Sequence, residues 1–204
     1  MNEQSRKQCT AFEGSRCIAS GELSHVAGKV KEVLDENCTA AVLIFDDLTS
    51  ELVEVDFRGT VKDVLKRLET QAPRGESSGA QPKNDRSVSR GPGRPKLGVV
   101  SREVTLLPRH WEWLGSQPGG ASVAVRKLVD EARRVNSGKD RVRRSQESAY
   151  RFMSAMAGNL PGFEEASRAL FTGDRKRFEE LTASWPADIR SHSLKLSEAA
   201  FESR

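Results

Sequence analysis

Residues 72–96 divide this 204-residue chain in two. Twelve of these twenty-five positions are Gly, Pro or Ser, and Val88 is the only large aliphatic among them. A segment that buries no apolar area cannot offset its own ordering entropy, so the stretch reads as a flexible linker. Any core must come from what lies on either side. The expected organisation is a small α+β domain over 8–70, a flexible basic Gly/Pro/Ser linker over 71–97, a third segment over 98–136 and a helical C-terminal region over 139–201. Charge follows the same divisions. The net formal charge is −4 over 1–70, +4 over 71–101, +5 over 102–144 and −1 over 145–204. A basic centre between acidic ends points to a polyanionic partner for that centre, with a merely solvated linker as the bland alternative.

Short strands alternate with helices before the linker. Thr10 to Glu13 and Arg16 to Ala19 flank Gly14-Ser15 as a hairpin would, and Leu23, Val26, Ala27, Val30, Val33 and Leu34 then fall at helical spacing. Ala40 to Phe45 is an apolar run of strand length. Val53, Val55 and Phe57 alternate with Glu54 and Asp56, which predicts a further, half-exposed strand. Thr60 and Asp63 stand at capping-box spacing before Val61, Val64, Leu65 and Leu68, the start of a second helix. The predicted order is ββαββα.

Beyond the basic centre, Asn136-Ser137-Gly138 is expected to break a helix, and the remainder reads as wholly helical. Apolar stripes recur at Ala149, Phe152, Met153 and Met156, at Phe163, Ala166, Leu170 and Phe171, at Phe178 and Leu181, and at Ile189 and Leu196. Gly173-Asp174 ends one helix and caps the next, and Pro186 fits a helix start. The methionines are core filler in this reading.

The chemistry-bearing residues do not cluster. Cys9, Cys17 and Cys38 form no Cys-x-x-Cys pair, so neither a disulfide framework nor a zinc site is expected. His25, His110 and His192 are scattered, no serine or cysteine stands in a nucleophile motif, and Gly91 to Lys96 lacks the Gly-Lys-Ser/Thr ending of a phosphate loop. Asp46-Asp47 at a strand end is a candidate for metal ligation, weighed against a plain turn-forming pair. The expectation is no enzyme, no cofactor and no metal. Residues 1–8 contain no apolar run and no segment of about 18 apolar residues occurs, so a cytoplasmic protein with no membrane partner is expected.

The central segment suggests a mechanism. Val104 and Leu106 form one face of a short strand, Pro108 stops it and opens a helix carrying Trp111 and Leu114, and Pro118-Gly119-Gly120 precedes a second helix with Val125, Leu128, Val129 and Ala132 at i, i+3, i+4 and i+7. A single strand leaves its backbone groups unpaired, so a partner strand is expected, supplied by a second protomer. Over 102–134 the segment resembles the ribbon-helix-helix family, through Val104-Thr105-Leu106-Leu107-Pro108, Trp113-Leu114 and Gly120-Ala121-Ser122. That resemblance implies an intertwined homodimer with a core of Val104, Leu106, Trp111, Leu114, Val125, Leu128 and Val129. It also implies DNA contacts from Arg102 and Thr105 to bases and from the amides at Ser122 and Val123 to phosphate. Gly93-Arg94-Pro95-Lys96 resembles an AT-hook core, which implies minor-groove contact by Arg94 and Lys96.

The whole chain, with Phe45-Asp46-Asp47, Ala149-Tyr150-Arg151-Phe152-Met153 and Leu160-Pro161-Gly162-Phe163, also resembles a bacterial family catalogued only as a domain of unknown function. Two functions are carried forward. The first is a homodimeric DNA-binding protein, a transcriptional regulator or antitoxin-like repressor. The second, favoured by Glu103 and Leu107 on the would-be reading face, is an adaptor in which the same segment only dimerises and the C-terminal helices dock a protein partner.

Overall fold

A computed structural model of the chain describes residues 7–36, 40–70 and 102–202. By their contacts the residues form two compact units, Met1–Gly75 with Ser137–Arg204, and Glu76–Asn136.

The first unit begins with a hairpin of β1 (Gln8–Glu13) and β2 (Arg16–Glu22), turned at Gly14 with φ 56°, and continues into helix α1 (Leu23–Asp35). Strand β3 (Val42–Asp46) pairs antiparallel with β1, giving a three-stranded sheet in the order β2-β1-β3. The central strand is buried on both faces. Cys9 and Ala11 join Ile44 against Leu23, Val26 and Val30 of α1, while Phe12 and Phe45 belong to a second apolar cluster. Strand alternation divides the two sets.

That second cluster unites the sheet with the C-terminal helices. Phe12 and Phe45 pack with Ala149, Phe152 and Met153 of helix α4 (Gly120–Ala157), Leu170 of α5 (Phe163–Thr172), Phe178 of α6 (Arg175–Leu181) and Ile189 of α7 (Ala187–Ser197). Local signals set the helix ends. Gly173 closes α5 in the left-handed region at φ 77°, and the Asp174 carboxylate accepts the Arg177 amide at 3.0 Å to open α6. Helix α2 (Val61–Thr70) starts from a reciprocal box, in which the Thr60 amide donates to Asp63 at 2.9 Å and the Asp63 amide to the Thr60 hydroxyl at 3.4 Å.

The expected fold class needs correction on four counts. The N-terminal order is ββαβα, because Val53, Val55 and Phe57 lie partly buried against the α1 side of the sheet while only a single bridge, Phe45 to Leu52, joins that segment to β3. Their alternation reflects side-chain burial without a backbone ladder. Residues 102–107 form no strand, and from Pro108 onward the described chain is entirely helical. The ribbon-helix-helix assignment therefore fails at its ribbon. Asn136-Ser137-Gly138 does not break the helix, since α4 continues to Ala157 and the Asn136 side chain donates back to the Ala132 carbonyl at 2.9 Å. One interior glycine costs only about 1 kcal/mol, which a long run of good helix formers outweighs. Finally, the sheet and the C-terminal helices share a core, so the helical region is not a separate all-α body.

The second unit comprises the extended residues 102–107, helix α3 (Pro108–Ser116) and residues 120–136 of α4. Pro108 fixes the entry. It holds Leu107 in extended geometry (φ −68°, ψ 151°), and the Leu107 carbonyl then accepts the His110 amide at 2.8 Å.

Candidate interaction site

Only Leu114 and Ala124 are buried among the described residues of the second unit. Two helices with so small a core leave their apolar side chains in water. Val104, Trp111, Trp113, Leu128 and Val129 are each about half exposed, and together with Leu106, Leu114 and Val125 they line a groove of about 1030 Å³. Arg102, His110 and Arg126 also line it. Large contiguous apolar patches of this kind mark interaction surfaces on folded proteins.

The same stretch of α4 is two-faced. Ala121, Val125, Leu128 and Ala132 recur at spacings of four, three and four, which aligns them along one side and on the groove. Lys127, Arg133 and Arg134 are exposed on the other side, and Arg126, also exposed, stands at the edge of the groove. Arg126 and Arg133, like Lys127 and Arg134, stand seven residues apart, two turns along the same face. Asp130 shares that face, and Glu131 approaches Arg134 at 4.0 Å. The net charge there remains positive.

Among the residues expected to touch DNA, Arg102 and Thr105 are exposed in the extended segment before α3. Ser122 and Val123 occupy the first turn of α4, which starts three residues earlier than a Ser122 cap would place it. Arg94 and Lys96 lie outside the described residues. Of the expected dimer core, Leu114 is buried within its own unit, Leu106 is half-buried, and Val104, Trp111, Val125, Leu128 and Val129 are exposed.

The candidate metal carboxylates are committed to other partners. Asp46 Oδ1 accepts the Leu48 and Thr49 amides, each at 2.8 Å, and its Oδ2 meets Lys7 at 2.9 Å. Asp47 accepts from the Thr10 hydroxyl at 2.7 Å and from Lys195 at 2.9 Å. The pair builds a turn and fastens β1 to α7. No group of three or more His, Cys, Asp or Glu able to hold a metal occurs among the described residues. Burial pushes the Cys9 thiol up to about 11, far from nucleophilic use at neutral pH.

Sequence reasoning passed over a buried polar set in the first unit. His192 is 7% exposed, with its ring centroid 4.5 Å from that of Phe152 and 5.4 Å from that of Phe12, and its Nε2 has no hydrogen-bond partner among the described residues. Burial lowers its pKa to about 4, with Asp47 and Lys195 acting in opposite directions. The hydroxyls of Ser50 and Ser148 meet at 2.8 Å in the same unit. No periodicity in the sequence marks these contacts, because each joins residues far apart in the chain.

Residues 8–197 match a family model described as an uncharacterized protein conserved in bacteria (DUF2239). The chain belongs to this family. Membership extends over the sheet, the basic centre and the C-terminal helices alike, so the two-faced α4 lies within the matched region. No curated protein matches the chain. No solved structure matches it either. The hairpin and helix β1-β2-α1 loosely resemble ribbon-helix-helix topology, but within one chain and without a second helix directly following. No described helix is long and apolar enough to cross a membrane.

Proposed function

We propose that this family member is a DNA-binding protein that acts in the cytoplasm as a homodimer, without catalytic activity, in a transcriptional or antitoxin-like regulatory role. The observation that carries the reading is the division of α4 into an apolar side and an exposed cationic side bearing Lys127, Arg133 and Arg134, with Arg126 exposed at the boundary between them. An α-helix fits the major groove, and cations spaced two turns apart, about 10.5 Å along the axis, are far enough apart to meet separate backbone phosphates. This assigns phosphate contact to the helix in place of the ribbon expected from sequence.

The test is fluorescence anisotropy of the full chain on duplex DNA across a salt series. Affinity should fall with a log–log slope of about −0.9 per phosphate neutralised, and alanine at all four cationic positions should flatten that slope by about 3 to 4. A salt-independent affinity, or an unchanged slope in the variant, removes the proposal.

A second reading, the protein adaptor, is favoured by a separate observation. Tyr150 stacks on Phe163 at 6.3 Å and meets Phe171 at 5.6 Å, leaving an aromatic patch of which Tyr150 and Phe171 remain exposed on the C-terminal helices. Exposed aromatics of this kind are common anchors for protein partners. Under this reading the four-alanine variant keeps its partner, and loss occurs on Tyr150→Ala.

A further inference from the structure

We propose that a second copy of this chain covers the groove of α3 and α4, helix against helix, through a seam formed by Ala121, Val125, Leu128, Ala132 and Val135. The inference rests on the dimeric reading above and identifies the surface and the contacts that produce it. It begins from a deficit. The second unit buries only Leu114 and Ala124 among its described residues, too little for α3 and the N-terminal part of α4 to hold an arrangement in water unaided.

Area sets the size of the missing cover. Trp111 and Trp113 expose about half of their surface, and Val104, Leu107, Leu128, Val129 and Val135 between about half and two thirds. With aromatics offering roughly 150–250 Å² each, and aliphatics somewhat less, the exposed apolar surface is roughly 600 Å². That is at the upper end of the largest patch on an ordinary monomer, and close to the apolar share of the roughly 800 Å² each partner contributes to a stable interface.

Spacing decides the occupant. From Ala121 to Val135 the seam runs four, three, four, three, the repeat that lets one helix pack along another of the same repeat over a shallow crossing. Every copy of the chain carries this seam. Two copies about a twofold axis present the same patch to each other, so each apolar side chain meets an apolar counterpart. Val125 and Leu128 at successive seam positions follow the pattern of a β-branched residue and a leucine that favours two strands. Lys127, Arg133 and Arg134 face away from the seam and stay outside the contact, while Arg126 stands at its rim.

The experiment is sedimentation equilibrium of the full chain over a concentration series, with tryptophan emission followed on the same samples. Wild type should dimerise, and the emission should shift to the blue as dimer forms, because Trp111 and Trp113 are half exposed while Trp185 is already buried. Leu128→Glu should raise the dimer dissociation constant about a thousandfold, since the charge enters a twofold interface twice. Leu128 is exposed in the single chain, so the variant should keep its helical circular dichroism. Val135→Glu should act in the same direction.

A wild type that is monomeric at all concentrations, or a Leu128→Glu variant that dimerises like wild type, overturns the proposal. A monomeric wild type would leave the groove to a segment of its own chain or to another protein. The outcomes separate from those for DNA. A monomer that binds duplex with steep salt dependence refutes the seam alone, and a Leu128-dependent dimer with no affinity for duplex refutes the DNA reading alone.

Discussion

Acidification should destabilise the first unit through His192 in a calculable window. With a pKa of about 4 in the folded chain against 6.5 for the free group, the unfolded chain binds more protons between those values. The histidine's contribution is therefore complete above about pH 6.5, is lost as pH falls and levels off below about pH 4. The difference in proton binding amounts to about 2 kcal/mol at pH 5 and approaches about 3 kcal/mol below pH 4. The cause is geometric. An imidazolium packed between Phe12 and Phe152, with Nε2 unpartnered among the described residues, loses hydration that the ring faces do not replace, and the opposed charges of Asp47 and Lys195 leave burial in control. Carboxylates also titrate in this range, so the measurement is a difference. Urea midpoints of wild type and His192→Leu are compared at pH 7, 6 and 5, and the constant offset between the two proteins drops out. Wild type should lose about 2 kcal/mol more than the variant between pH 7 and pH 5. Parallel pH profiles, or a His192 proton resonance titrating near the free value of 6.5, would refute the reasoning.

Two further substitutions test the packing and the continuity of α4. Phe152→Ala removes a fully buried ring that meets Phe12, Phe45 and His192, and should cost about 3–5 kcal/mol in chemical denaturation, with loss of near-ultraviolet ellipticity. Gly138→Ala lies inside the continuous helix with nothing within 4 Å of the added methyl, and should stabilise the chain by about 0.5–1 kcal/mol, whereas a helix broken at that position would gain nothing.

How much was legible depends on the range of the interaction. The hairpin at Gly14, the Thr60–Asp63 box and the Gly173-Asp174 junction each rest on residues a few positions apart, and their signals are complete within the local sequence. The central segment was legible in its helices and in its apolar face. It was misread at Arg102 to Leu107, where a proline stop and a two-residue alternation look the same whether or not a ladder forms. The break expected at Asn136-Ser137-Gly138 failed for the opposite reason, since turn-forming residues are weak local preferences and the surrounding helix formers outweigh them.

By itself the sequence determined the caps at Thr60 and Asp174, which segment carries positive charge and which side of α4 is apolar. These follow from spacing along one chain and from the chemistry of single side chains. Only the tertiary structure decided that β1 is buried on both faces, that Phe12 and Phe45 join Phe152 in one core, that Asp47 reaches Lys195 and that His192 is enclosed by aromatic rings. Each of those contacts joins residues with much of the chain between them, and their energy depends on desolvation that exists only once distant segments have packed.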